Sequence, residues 1–528
     1  MSLTSRSSVP AADQTGTADV CLLLEGTWPY VRGGVSTWVH QILTALPELR
    51  FSVVYIGAEK SLAGERKYDL PPNLASLHEI FLFDPSPDES AAISPSIRVG
   101  RTEWQAVHSS LAALLLSDEP AAPESIDSRL AEALLALARL AQGVTFERFW
   151  QHPDTWDLLL DCYARHFEQL PFIDFFWNVR FLIEPVWKLL RIEENLPEAA
   201  VYHSVSTGYA GLLGALAARR RPRSRFLLSE HGIYVRERIS DLLRSEWAGP
   251  DALRVPGTEG IPALRRLWID FFVEIGRLTY HSAARIVSLF QRNAHIQTEF
   301  GAPAERQQVI PNGVDLSRFE AIRESRREKR LAQPGRRHVG FFGRVVAIKD
   351  VKTLLRAARL TIDVVPDARF LIVGPTDEDA AYFAECETLT TELGLSEHVL
   401  FTGPASPEAA LPEFDIMVLS SVSEGLPFAV LEAFGAGMPV VSTDVGSCAE
   451  LIHGRDDEQP ALGPAGAVVP VGNPPALAQA LVRLLSDREL QDRCGAAGLA
   501  RTQQSYTESG VIDHYRELYV GLAAAATA

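Results

Sequence analysis

The chain has 528 residues, more than one ordinary domain holds, and its 47 % hydrophobic content supplies more than one sizeable core. Its 50 Lys and Arg against 67 Asp and Glu leave a net charge of −17, which argues against a general nucleic-acid binder and against electrostatic adhesion to an anionic membrane. Five scattered cysteines with no C-x2-C pair give neither a disulfide framework nor a zinc site, as expected of a cytoplasmic protein.

Residues 1–17 are polar and lack the apolar core of a signal peptide. The longest apolar stretches, such as LAEALLALARLA from Leu130, are too short to span a bilayer. Val20 to Leu24 reads as a buried strand running into EGTWPYVRGGVSTWV. Gly33 and Gly34 end the loop, and a helix is expected from Val35 to Leu46. Strand, double-glycine loop and helix make a phosphate-friendly turn, although a lone GG is equally an ordinary one. FSVVYIGA from Phe51 and LHEIFLF from Leu77 are the next strands. From about 84 to 197 the chain turns Ala- and Leu-rich with helical spacing, and we read a helical insertion in the first domain. Its aromatics, Phe172, Phe175, Phe176, Trp177, Phe181 and Trp187, suit core packing or an acceptor or partner surface.

RFLLSEHGIYVRER reads as a strand with Glu230, His231 and Gly232 at its carboxyl end, the edge where open α/β sheets bind ligands. A single histidine there serves structure as readily as chemistry. Arg236 and Arg238 suit phosphate, acceptor or plain solvation. The charged stretch Arg323–Arg337, with its Pro-Gly break, reads as a linker, so the boundary is expected near 316–335, between domains of 18–330 and 331–510. Beyond it, HVGFFGR, RFLIVGP, HVLFTGP, DIMVLSS, MPVVST and GAVVPV alternate with helical runs. That alternation means a doubly wound parallel sheet. A last helix, 511–528, is expected to cross back to the first domain.

The richest stretch is SSVSEGLPFAVLEAFGAGMP, Ser420 to Pro439. A strand feeds a turn at Glu424-Gly425, and Pro427 is placed as the first residue of a helix. Free amides and the helix dipole make this a phosphate seat. Glu424 and Glu432 are offset by roughly 12 Å if helical. That is long for a carboxylate pair at one glycosidic bond, which sits about 5 to 9.5 Å apart, and suits a grip on both ends of an extended ligand. Gly343, Arg344 and Lys349 follow the first strand of this half. A cationic pair there is a solvated surface or a means of neutralising a diphosphate. The acidic runs Asp377–Asp379 and Asp456–Asp457 read as solvated loops, and no metal site is expected.

E-x7-E with GLP directly after its first glutamate, and G-R-x4-K upstream, resembles the retaining glycosyltransferases of family 4. The resemblance implies an α/β GT-B fold: two Rossmann-like doubly wound domains facing a cleft. It implies that Glu424 meets a donor sugar and Glu432 the nucleotide ribose. Gly425, Leu426 and Phe428 would face sugar and phosphate, and Arg344 and Lys349 the diphosphate, beside Gly343. It places Gly33 and Gly34 near the phosphates or acceptor and His231 beside the sugar. The family's GG-x-x-E motif departs here, since Ser447 replaces the second glycine before Glu450. EGTWPYVRGGVSTWV and SEHGIYVRER further resemble PelF-type transferases of Pel exopolysaccharide assembly. They imply a UDP-sugar donor, UDP-glucose foremost, a glycan acceptor, inner-membrane synthase partners and no further cofactor. A UDP-sugar epimerase and a non-catalytic nucleotide-sugar sensor are the rival readings.

Overall fold

The computed structural model describes residues 17–84, 100–115, 123–244 and 262–527. The polar stretch read at 1–17 lies outside them but for Thr17, as do 85–99 and 116–122 of the insertion. The chain divides into two units. Residues to Ser288, Ala294–Gln308 and Tyr515–Ala528 form the first; Leu289–Asn293 and Val309–His514 form the second.

In the first unit, β1 (Ala18–Glu25), β2 (Phe51–Gly57), β3 (Leu74–Phe81), β4 (Ala199–Ser204), β5 (Arg225–Glu230), β6 (Arg285–Ser288) and β7 (Gln307–Val309) form a seven-stranded sheet, ordered β3-β2-β1-β4-β5-β6-β7. Its central pairings are parallel, with Leu22 of β1 beside Val53 and His203. Strands covered by helices on both faces become continuous apolar runs. VCLLL is fully buried for that reason. β6 and β7 have only four and three residues, too few to show a period in sequence.

Between β3 and β4 lie the helices Arg101–Leu115, Pro123–Gly143, Phe146–Trp150, Pro153–His166 and Phe172–Glu193. The aromatics expected there divide by position. Phe175 and Trp187 are fully buried, while Trp177 and Phe181 are 44 % and 52 % exposed. The last helix is Glu508–Thr527. Its residues from Tyr515 onward belong to the first unit. There Tyr519 Oη meets His203 Nδ1 at 2.8 Å and Arg516 Nε donates to Glu48 at 2.8 Å.

The second unit holds β8 (His338–Phe342), β9 (Arg369–Val373), β10 (Val399–Gly403), β11 (Ile416–Leu419), β12 (Val440–Thr443) and β13 (Gly466–Val469), ordered β10-β9-β8-β11-β12-β13. Its pairings are parallel. The strand order reverses between β8 and β11, where doubly wound sheets bind ligands.

Arg323–Arg337 is not a linker. It belongs largely to the helix Glu320–Ala332 of the second unit. Arg326 is buried and donates to the carbonyls of Phe414, Asp415 and Gly437 at 2.9, 2.9 and 2.8 Å. Arg336, also buried, reaches both Asp415 oxygens at 3.3 Å. These guanidiniums satisfy backbone and carboxylate groups that would otherwise be orphaned in the interior. A charge-rich stretch resembles solvated surface in sequence, and only the packing shows otherwise.

Candidate active site

Two loops leave the switch point of the second unit. After β8 the chain passes Gly343 and Arg344 into a short turn, Ala347–Lys349. Asp350 then caps the helix Val351–Val364, its carboxylate accepting from Thr353 N at 3.2 Å. After β11, Ser420 to Leu426 leads into the helix Phe428–Gly435. Backbone bonds tie the loops together: Val422 N donates to Ile348 O at 2.9 Å, and Ser420 Oγ to Lys349 O at 2.9 Å.

This coupling brings Lys349 Nζ to within 2.6 Å of Glu424 Oε1, an oxygen that also accepts from Ser421 Oγ at 2.5 Å. The two side chains are only 19 % and 11 % exposed. An ammonium and a carboxylate thus stand at a strand edge, shielded from water, where each interacts strongly with a ligand charge or hydroxyl. Thr443 Oγ1, at the end of β12, donates to Ser421 O at 2.6 Å and fixes the loop from behind. Ser420, Ser421 and Thr443 were not singled out in sequence. The signal was there, since hydroxyls at the end of a buried strand have no apolar role.

Pro427 is the cap rather than the first helical residue, with an extended backbone (φ −75°, ψ 117°). The amides that follow, from Phe428, are those of the first turn, and no side chain caps them. Val430 N turns back to Pro427 O at 3.1 Å, which leaves the amides of Phe428 and Ala429 as the orphan donors of a helix start.

Ser447 departs from the GG-x-x-E pattern without backbone cost. The left-handed position is Gly446 (φ 52°). Ser447 has φ −88° and donates to Gly425 O through both its amide (3.0 Å) and hydroxyl (3.2 Å). A β-carbon on Gly446 would lie 2.2 Å from Gly425 O and 2.4 Å from Glu424 O. We expect Gly446→Ala to cost about 1–3 kcal/mol from backbone strain alone, with more from the clash. A melting curve checks the loss, and an unchanged midpoint would show that the Glu424–Gly425 turn yields freely.

Arg344 does not join the Lys349–Glu424 pair. It is half-exposed and paired with Glu378, a surface contact worth under about 1 kcal/mol. The acidic run Asp377–Asp379 is therefore engaged rather than simply solvated, since Asp379 also caps a helix by accepting from Tyr382 N at 3.1 Å. In the second run Asp457 pairs with Arg455 at 3.1 Å. Gly343 lies under Gly374, whose β-carbon would fall 1.9 Å from Gly343 O. Leu426 is buried at 6 % exposure. Glu450 accepts from Gln291 N at 3.1 Å.

Glu432 lies on the helix after the turn. Burial pushes its carboxyl up to about 7, against the opposing pull of Arg318, which pairs with Glu408 at 3.0 Å. A half-buried carboxylate so poorly compensated invites hydroxyl donors.

In the first unit, Gly33 caps the helix Gly34–Ala45, and nothing stands within 4 Å of where its β-carbon would be. His231 is 9 % exposed, edge-on to Trp38 at 4.8 Å, and burial pulls its imidazole down to about 4. Its Nε2 has no hydrogen-bond partner among the described residues. Glu230 instead serves structure: it accepts from Tyr280 Oη (2.6 Å), Gln297 Nε2 (3.0 Å), Thr207 Oγ1 (3.1 Å) and Tyr234 N (3.3 Å). Arg236 is exposed, and Arg238 pairs with Asp241 at 2.8 Å.

A Rossmann-like sheet with a lysine, a carboxylate and an uncapped helix start at its switch point has the form of an anion-binding α/β site. Residues 336–487 match the family of glycosyl transferases group 1. Residues 18–305, more than half the chain, match the domain of unknown function DUF3492, and the chain belongs to that family. The fold is GT-B. The sucrose-phosphate synthase of Thermosynechococcus elongatus superposes with a TM-score of 0.57 at 18 % identity, over 96 % of this chain and 100 % of that one. HepE of Anabaena, solved with UDP, superposes with a TM-score of 0.55 at 14 % identity, over 95 % and 100 %. In sequence, the D-inositol 3-phosphate glycosyltransferase of Nocardia farcinica is 31 % identical over 226 residues, 41 % of this chain and 48 % of that one. The lipopolysaccharide core mannosyltransferase LpsB of Rhizobium meliloti is 28 % identical over 205 residues, 38 % and 56 %. The chain thus spans about half the length of the curated relatives it matches. Among the described residues no helix is long and apolar enough to cross a membrane.

Proposed function

We propose that this chain is a retaining glycosyltransferase of family 4. It moves a hexosyl unit from a UDP-sugar, UDP-glucose foremost, to a growing exopolysaccharide of the Pel type, in company with inner-membrane synthase proteins. The observation that carries the reading is the Lys349–Glu424 pair at the β8/β11 switch point, 2.6 Å apart beside an uncapped helix start. The sequence relatives named above support it, both being glycosyltransferases, as does HepE, which has been solved in complex with UDP-glucose.

In this reading the diphosphate lies across the amides of Gly425, Leu426 and Phe428. Lys349 takes up its charge, and Arg344 swings from its exposed pairing with Glu378 to join it. Glu432 accepts from the ribose hydroxyls and Glu424 from the sugar. The bond from the sugar's anomeric carbon to the phosphate oxygen breaks, and its electron pair goes to UDP. The acceptor hydroxyl bonds to the same face and passes its proton to the departing phosphate oxygen. Cations and amides already in place stabilise the charge that develops there. Burial keeps the His231 imidazole of the first unit uncharged at pH 7.

Incubation of the chain with UDP-glucose and an acceptor glycan is expected to release UDP and to give a product with the donor's anomeric configuration by NMR. Tight UDP-glucose binding with no UDP release, even with acceptor and synthase partners present, would overturn the reading. An epimerised sugar formed without acceptor would also do so. Donor binding is expected to survive EDTA, because Lys349 and Arg344 supply the charge a metal would bring. A loss on chelation that Mn²⁺ restores would contradict that.

A further inference from the structure

Two cavities in the first unit take no part in the site above. One, of about 560 Å³, opens at the carboxyl ends of β1, β2 and β3, with Glu25, Phe83, Phe181, Arg238 and Trp268 among its walls. The other, of about 420 Å³, lies on the insertion among Trp150, Trp156, Phe176 and Trp177, with Glu147 and Arg180. One helix, Phe172–Glu193, joins them. Trp177 lines the second cavity and Phe181 the first. The two are one turn apart on the same face, with rings stacked at 5.8 Å between centroids. Ile173, one turn earlier, is 58 % exposed and extends the stripe. An exposed apolar stripe continuous with two cavities marks an interaction site.

The polar groups decide the occupant. Glu147 and Arg180 pair at 2.5 Å beside the indoles of the second cavity. In the first, Glu25 accepts from Tyr234 Oη at 2.8 Å and Ala210 N at 3.3 Å. Arg238 lies over the Tyr234 ring and pairs with Asp241. An apolar helix or acyl chain would cover these donors and acceptors without replacing their water, which is unfavourable. A pyranose has a C–H face that packs on an aromatic ring and a girdle of hydroxyls, each both donor and acceptor. Charged pairs set beside aromatic planes fit that girdle.

We propose that the stripe Ile173–Trp177–Phe181 and its two cavities form a track for an uncharged pyranose glycan, held by stacking on Trp177 and Phe181. The proposal rests on the reading of the chain as a glycosyltransferase and identifies the occupant as several sugar units of its acceptor polymer.

The test is calorimetry of the full chain with maltohexaose, cellohexaose and chitohexaose, and separately with UDP. At least one hexasaccharide is expected to bind. Trp177→Ala should weaken it about tenfold or more, as for a central aromatic anchor, while Trp177→Phe retains most of the affinity. UDP affinity should be the same in all three proteins. Trp177 is 44 % exposed, so neither change opens a cavity in the core, and a melting curve verifies that both variants fold. Binding of none of the three glycans with UDP binding intact overturns the track alone. So does equal glycan affinity in Trp177→Ala, or saturation of the stripe by an amphipathic apolar peptide in place of a glycan. Loss of UDP binding by the unaltered chain would instead sink the donor site.

Discussion

Lys349→Ala is expected to lower the rate of sugar transfer by about 10²- to 10³-fold, the usual effect of deleting one preorganised group that meets developing negative charge. Lys349 is the better-placed cation of the second unit's site, because its ammonium is held 2.6 Å from Glu424 and is 19 % exposed, whereas Arg344 is half-exposed and drawn off by Glu378. In the proposed mechanism preorganisation makes the lysine effective, since little reorganisation would be left to do when the diphosphate departs. The variant also strands Glu424, which then relies on the Ser421 hydroxyl. An uncompensated carboxylate of low exposure destabilises the turn, so the melting temperature should fall too. Double replacement, Lys349→Ala with Glu424→Gln, removes the stranded charge and should recover stability but not turnover. Single-turnover kinetics with UDP-glucose separate the two effects, and a fall of less than about tenfold in the rate would assign the leaving-group role elsewhere.

The second large effect is expected at Glu432, where on the proposed reading stability and binding pull in opposite directions. Its carboxyl is raised from 4.5 to about 7 by burial. The folded chain therefore binds more protons than the unfolded one between those values, and stability falls as pH rises through that window. The full cost, about 3 kcal/mol, is present above pH 7 and absent below about 4.5. Glu432→Gln removes it, so the unliganded variant should be more stable than the parent at pH 8 and no more stable at pH 4.5. UDP should nevertheless bind the variant about ten- to a hundredfold more weakly at pH 8, the loss expected when charged hydrogen bonds to the ribose disappear. In the parent, UDP affinity should fall as pH drops below 7, by up to about tenfold per unit, because binding then has to expel a proton. A residue that weakens the empty fold and strengthens the bound one is a binding residue. Stability and UDP affinity both indifferent to pH from 5 to 8 would leave Glu432 as surface.

Much of this site was legible in the sequence. The strand DIMVLSS, the turn at Glu424 and the G-R-x4-K loop all stand where the strand order reverses, and Lys349 and Glu424 meet there. They were legible because short-range rules govern them: apolar runs make the strands, and glycine and proline punctuate the turns. What escaped depends on tertiary contact. Arg326 and Arg336 stand in a stretch that reads as a linker and are buried, because the orphan carbonyls and the carboxylate they satisfy come from residues some 80 to 110 positions further along the chain. Ser447 looked like a flaw in the loop, yet the left-handed backbone is one residue earlier, at Gly446. The insertion's aromatics could be assigned to no single use, since burial divides Phe175 and Trp187 from Trp177 and Phe181 on the same helix.

In the proposed function Glu424 and Glu432 hold opposite ends of one nucleotide sugar at the switch point of the second unit. Calorimetry of Glu424→Ala and Glu432→Ala, each with UDP and with UDP-glucose, tests it most directly. Glu432→Ala should weaken both ligands about ten- to a hundredfold. Glu424→Ala should leave UDP within about threefold of the parent and weaken UDP-glucose. Equal losses of UDP in both variants would show the ends of the ligand reversed or shared, and no loss in either would contradict the claim outright.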